Sequence, residues 1–248
     1  MTNQAYGQFC GLARAVEIVG EPWALLVLRD LIAAPKSFAD LREGLPRIPG
    51  GVLSARLEEL EQAGVLRHSI PLDSAAASGY ELTEYGRELE DIIVRLGRWG
   101  ARAMGGPRQD EIVTVDSMTM ALRSLFRPEA ARGPALSYLL QLGPIVLHAL
   151  IDDGRLDVGT GPIPDADLVI EAGPGLRAML AGEVSAREAI ETGAVRLTGD
   201  PILLAWFIEI FHIPPLPPSR SSHGKLPAWM VSRPPVIGGQ PDLATASR

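Results

Sequence analysis

The run GGVLSARLEELEQAGVL, residues 50–66, places functional groups in a pattern that suits the capture of an anion. Wound as a helix at 100° per residue, Leu53, Leu57 and Leu60 fall within about 60° of one another and make a face that must pack. The opposite side of the first two turns carries Gly51, Ser54 and Ala55, whose side chains are too small to keep another body off the backbone. Gly50 extends that bare surface, and Arg56 and the upstream Arg47 are the nearest cations. A helix start without bulky side chains offers unpaired amides and the positive end of the helix dipole, the chemistry that receives a phosphate. Glu58, Glu59 and Glu61 in the second half repel phosphate, so such a helix meets an anion N-terminus first.

Other candidates are weaker. Cys10, the single cysteine, reads either as a small buried apolar residue or as an exposed thiol whose pKa the nearby Arg14 lowers. His148 and Asp152 stand four apart, a spacing that brings two metal ligands together on a helix, but no third ligand lies near and no metal is expected. His68, His212 and His223 form no cluster, and GTGPIP at 159–164 lacks the last glycine of a dinucleotide loop. With no phosphate-binding loop, nucleophile elbow or zinc-protease motif, no catalytic residue and no cofactor is expected. Met179, Leu180, Leu203, Trp206, Phe207 and Ile210 recur at helical spacing and read either as core or as the wall of an apolar ligand pocket.

The chain as a whole sets the frame. Its 248 residues allow one or two domains, and 46% hydrophobic with 21% charged residues is globular composition. A net charge of −7 argues against a diffuse coat on nucleic acid or an anionic membrane, while leaving room for a local basic patch. One cysteine fits a reducing cytoplasm, the N-terminus has no secretory pattern, and the longest apolar stretch, LSYLLQLGPIVLHALI, is broken by Gln141, Gly143, Pro144 and His148. A cytoplasmic protein without a membrane partner is expected.

The elements that position the bare helix follow from periodicity and caps. Helices are expected at about 11–19, 22–33, 37–44, 50–63 and 84–103, with Pro22 in a first turn and Ser37 capping the short third helix. Residues 46–49 make a tight turn, so the third and fourth helices form a helix-turn-helix. VLRHSI and YELT then read as a hairpin, a wing, and Leu89, Ile92, Ile93, Leu96 and Trp99 make the last helix apolar enough to pair with a second copy. Boundaries fall at Gly105, Gly106 and Pro107 and again after Phe211, where 37 residues hold 8 prolines and read as extended or disordered. Between them, short strands alternate with helices.

Residues 10–100, including CGLARAVEIVGEPWALLVLRDLIAAPKSFADLREGLPRIPGGVLSARLEELEQAGVLRHS and YELTEYGRELEDIIVRLGRWG, resemble the HxlR family of winged helix-turn-helix regulators. The resemblance implies a homodimer on double-stranded operator DNA, with Pro49 to Glu59 in the major groove and Cys10 at the family's N-terminal cysteine, which in relatives can act as a redox sensor of electrophiles or oxidants. Gly50 and Gly51 stand where the family carries larger polar residues, and the wing loop from Asp73 to Gly79 has no Lys or Arg. Readout therefore falls to Ser54, Arg56 and Arg47, with Gly50, Gly51 and Ala55 allowing close approach. Residues 29–56 hold five basic side chains against three acidic ones, a modest phosphate footprint.

Residues 110–211 resemble the sterol-carrier-protein family of small α/β lipid-binding domains in Asp153-Gly154, Leu180 to Ser185 and Gly199-Asp200. That resemblance implies an apolar cavity between a curved sheet and helices. The expected architecture is thus a mainly α winged helix-turn-helix domain over 1–105, an α/β (α+β) sterol-carrier-like domain over 106–212 and a Pro-rich tail over 213–248. The expected function is a homodimeric DNA-binding regulator, paired through Ile92, Leu96 and Trp99, whose second domain takes an apolar small-molecule effector. The alternatives are a hydrophobic-ligand carrier whose first domain is a dimerisation platform, and a regulator whose second domain is structural.

Overall fold

Helix-forming sequence fills the first part of the chain. In the computed structural model, which describes residues 5–69, 79–106, 108–173 and 175–217, the order is α1 (Gly11–Val19), α2 (Ala24–Ala33), α3 (Phe38–Gly44), α4 (Gly50–Gln62), β1 (Leu66–Ser69), β2 (Gly79–Leu82), α5 (Glu84–Arg87) and α6 (Leu89–Ala101). α3 begins where expected, because Ser37 and Asp40 exchange side-chain and backbone hydrogen bonds in a capping box. β1 and β2 pair antiparallel, Leu66 opposite Leu82, to form the wing. Its tip, including Asp73 to Ser78 of the expected basic-free loop, lies outside the described residues.

Two boundaries differ from expectation. Pro22 lies in the turn before α2, not in its first turn, because Trp23 adopts a left-handed φ of 77° and the helix starts only at Ala24. The expected single helix over 84–103 is two, broken at Glu88. Gly86 explains the break: the short α5 presses against β1's entry so closely that a Cβ there would lie within van der Waals overlap of the Val65 carbonyl. Only glycine permits that approach, and α6 follows after Glu88.

After a loop, α7 (Val115–Leu125) leads into β3 (Leu136–Leu142), β4 (Ile145–Asp152), β5 (Arg155–Thr160), β6 (Leu168–Ala172), α8 (Gly175–Leu180), α9 (Ala186–Glu191), β7 (Val195–Gly199) and α10 (Ile202–Ile210). The strands form one mixed sheet in the order β5-β4-β3-β6-β7, with only β3 and β6 parallel. Asp153 and Gly154, at φ 39° and 80°, make the two-residue turn between β4 and β5, the geometry that Asp-Gly favours because both residues need positive φ. The other motif residues also serve folding: Ser185 caps α9 by accepting from the Glu188 amide, and Asp200 accepts from the Ile202 amide at the start of α10.

The two regions keep separate cores joined by one helix. Val27, Leu28, Leu31, Leu41, Leu53, Leu57 and Leu60 centre the first, and Tyr138, Leu140, Leu147, Leu168, Phe207 and Phe211 the second. α7 serves both: Met120 packs in the first core, while Leu122 and Leu125 pack in the second. Gly97 of α6 leaves room for the Ser124 side chain of α7. The residues up to Pro215 form one compact unit.

Candidate nucleic-acid interface

α4 is fixed from below by Leu53, Leu57 and Leu60, all at most 1% exposed. That leaves Gly51 and Ser54 facing outward, with Ala55 half-buried beside them. A Cβ added at Gly50 or Gly51 would meet nothing within 4 Å, so the helix start is open on the outside. Pro49 occupies the cap and supplies no side-chain acceptor, so the first-turn amides of Gly50 and Gly51 point outward without one.

The cations around this opening are mostly engaged. Arg29 pairs with Asp30 at 2.7 Å, and Lys36 with Asp116 at 3.0 Å. Arg47, in the turn between α3 and α4, donates from Nη2 to the Asp110 carbonyl at 2.5 Å and lies 3.3 Å from its carboxylate. Arg56 is far more covered than a free reader: its side chain is 15% exposed, 2.6 Å from Glu59 and 3.6 Å from Glu21, and its Nε has no hydrogen-bond partner. Arg42, on the exposed side of α3, is the one member of the five-residue footprint without an ion pair among the described residues. The sequence count included Arg42 but did not single it out. Its signal was position, since it follows the buried Leu41 on a short helix whose inward side is taken by Phe38, Leu41 and Leu45.

Beneath the helix-turn-helix lies a buried charge cluster that sequence reasoning missed. Asp30 is fully buried, and burial pushes its carboxyl above the ordinary value despite the Arg29 hydrogen bond. Its Oδ2 has no hydrogen-bond partner and crowds Gly44 together with an Asp116 oxygen. No spacing rule links residues 30, 36 and 116, so only the packing of α7 reveals the group.

The remaining candidates separate. Cys10 is exposed at the N-cap position of α1, where the nearby Ala13 and Leu12 backbone amides hold its thiol below the ordinary value. Arg14, expected to act on the thiol, instead pairs with Glu17 at 2.6 Å. On α6, Ile92, Leu96 and Trp99 are 58%, 43% and 65% exposed, and Phe9 and Leu12 add bare apolar surface at the start of α1. His148 and Asp152 lie on strand β4, not on a helix, so four residues separate them by about 13 Å. His148 instead packs over Gly159 and bonds the Gly161 carbonyl through Nδ1 at 3.0 Å. Among the described residues no group of three metal-ligating side chains occurs.

Of the six residues considered for an apolar pocket, Met179, Leu180, Phe207 and Ile210 are packed in the second core, Leu203 borders it, and Trp206 is 43% exposed on the outer side of α10. A cleft of about 310 Å³ in this region is lined by none of them; Gln141, Glu171, Arg196 and glycines line it instead. No helix among the described residues is long and apolar enough to cross a membrane.

Helix-turn-helix, open-faced fourth helix and two-stranded wing, in that order, define a winged helix-turn-helix protein. Residues 18–107 match the model of the HxlR-like helix-turn-helix family. The Bacillus subtilis protein YdeP is 32% identical over 93 residues, 38% of this chain and 73% of that one, and YvaP of the same organism is 31% identical over 86 residues, 35% and 80%. Both are described as uncharacterized HTH-type transcriptional regulators. The reduced form of the transcriptional regulator YodB from B. subtilis shares 27% identity over 39% of this chain and 95% of its own, at a TM-score of 0.35. The chain belongs to the HxlR-like helix-turn-helix family.

Proposed function

We propose that the protein is a homodimeric transcription regulator that inserts the start of α4 into the major groove of operator DNA. The observation that carries this reading is the open N-terminal face of α4, Gly50, Gly51 and Ser54, above a packed helix-turn-helix in a chain of this family. The Gly50 and Gly51 amides lie against a phosphate, Ser54 faces base edges, and Arg42 and Arg47 contact the backbone on the α3 side. Arg56 reaches DNA only by leaving Glu59 and Glu21, so its readout includes the loss of those pairs. The exposed row Ile92, Leu96 and Trp99 supports pairing of two copies through α6, which sets two α4 helices about 34 Å apart or a multiple of it on a pseudopalindrome.

For the region after residue 110, the order of strands, turns and capped helices supports a sterol-carrier-like plan. Its filled core and the helix it shares with the first region favour a structural over a ligand-carrying role. The test is salt-dependent binding to a duplex selected from a random-sequence library by the full chain. Gly51→Glu, which puts bulk and negative charge on the open face without touching the core, is expected to abolish it. Unchanged affinity in Gly51→Glu refutes the docking mode.

A further inference from the structure

Lys36 joins three elements at one residue. Its backbone exchanges two hydrogen bonds with Tyr80 of the wing strand, Lys36 amide to Tyr80 carbonyl at 3.0 Å and the reverse at 2.7 Å. Ser37, its neighbour, caps α3. Its ammonium lies 3.0 Å from Asp116, in the first turn of α7, with both side chains largely covered, 17% and 10% exposed. Asp116 stands beyond the family match, which ends at residue 107, on the helix that also packs Leu122 and Leu125 into the sheet core. The sheet region therefore holds, through one charged pair, the residue that leads into α3 and bridges to the wing.

We propose that Asp116 is a positioning residue for DNA recognition: by fixing Lys36 it sets the wing strand and the start of α3 relative to α4, so the C-terminal region is a working part of the DNA reader. The inference rests on the reading that α4 and the wing meet DNA. The geometry separates this role from simple bracing. Met120 and Thr119 continue to pack α7 against α2 when the Asp116 charge is removed, but Lys36 then loses its only ion pair among the described residues. The wing hairpin keeps its own β1–β2 ladder, and its link to the chain before α3 is then an isolated two-bond bridge. Such a bridge frays readily.

The experiment uses the full chain and a duplex selected from a random-sequence library by the unmodified protein. Asp116→Asn is expected to weaken binding about fivefold or more. The slope of log affinity against log salt should stay the same, since no phosphate contact is lost. Hydrogen exchange at the Tyr80 amide should accelerate, Lys36→Gln should reproduce both effects from the other side of the pair, and Asp116→Glu should restore most of the affinity. A lowered melting temperature with affinity within about twofold of the unmodified protein and unchanged Tyr80 exchange would overturn the proposal and leave Asp116 a structural residue. If the unmodified chain selects no sequence and shows no salt-dependent binding, it is the DNA reading itself that fails. That outcome is seen before any variant is made.

Discussion

In the proposed docking mode Arg47 meets a DNA phosphate, yet Asp110 now holds its guanidinium, so removing the Asp110 charge should make the protein a more salt-sensitive DNA binder. Arg47 is 63% exposed and Asp110 70%, so their pair is solvated, worth at most about 1 kcal/mol to the fold. On DNA, Arg47 must exchange a carboxylate for a phosphate, and the carboxylate left behind keeps an acidic group beside the backbone. In Asp110→Asn that group is neutral, and Arg47 neutralises one further phosphate. One released counterion steepens the slope of log affinity against log salt by about 0.9. Between 50 and 200 mM salt this amounts to an extra factor of about 3.5, with the variant the tighter binder at low salt. The Arg47 bond to the Asp110 backbone carbonyl survives the substitution, so these figures are a ceiling. Fluorescence anisotropy of a labelled duplex titrated at four salt concentrations reads the slope directly. Parallel lines for the two proteins would show that Arg47 makes no phosphate contact.

Asp30→Asn is expected to leave stability at pH 7 unchanged or raise it by up to about 1 kcal/mol, because the ionised carboxyl is buried with one oxygen unpartnered. Since the folded pKa lies above the unfolded one, the cost of the ionised form is present above the folded value and is relieved as pH falls through it; any advantage of the variant in urea unfolding should shrink over that same window, and a loss exceeding about 2 kcal/mol at pH 7 would refute the account. The Cys10 thiol, lowered by the Ala13 and Leu12 amides, should be alkylated by iodoacetamide with a pH midpoint below that of an ordinary peptide cysteine, as followed by mass spectrometry; an ordinary or higher midpoint contradicts that attribution. Light scattering at micromolar concentration should give a dimer for the full chain and a monomer for the Leu96→Glu, Trp99→Glu double variant; a monomeric parent would remove the pairing through α6.

What the sequence showed of this fold was what local periodicity and caps encode. The inward leucines of α4, the Ser37 cap and the wing strands are each decided within a few residues, and they stand where the spacing put them. What it hid depends on distant packing. The break at Glu88 comes from Gly86 meeting Val65, 21 residues upstream, and helical periodicity alone carried on through it. His148 and Asp152 fit a helical spacing until Gly143 and Pro144 turned an apolar run into a hairpin, where the same interval spans a strand. The charges misled most. A count of five bases against three acids omits partners contributed from outside the window, and Asp110, Asp116 and Glu59 pair with three of the five.

That neutralisation bears on how an acidic protein reads DNA. With a net charge of −7 and Arg42 the only footprint cation unpaired among the described residues, long-range attraction to an arbitrary duplex is weak. The favourable groups are fixed and short-ranged: the amides at the start of α4 and a neutral face that permits close approach. Contacts of that kind reward only a groove of the right shape and register, whereas mobile surface cations reward any phosphate. The consequence is a ratio of specific to non-specific affinity set by geometry more than by charge. In the proposed docking mode that geometry is held by α7, through the Lys36–Asp116 pair.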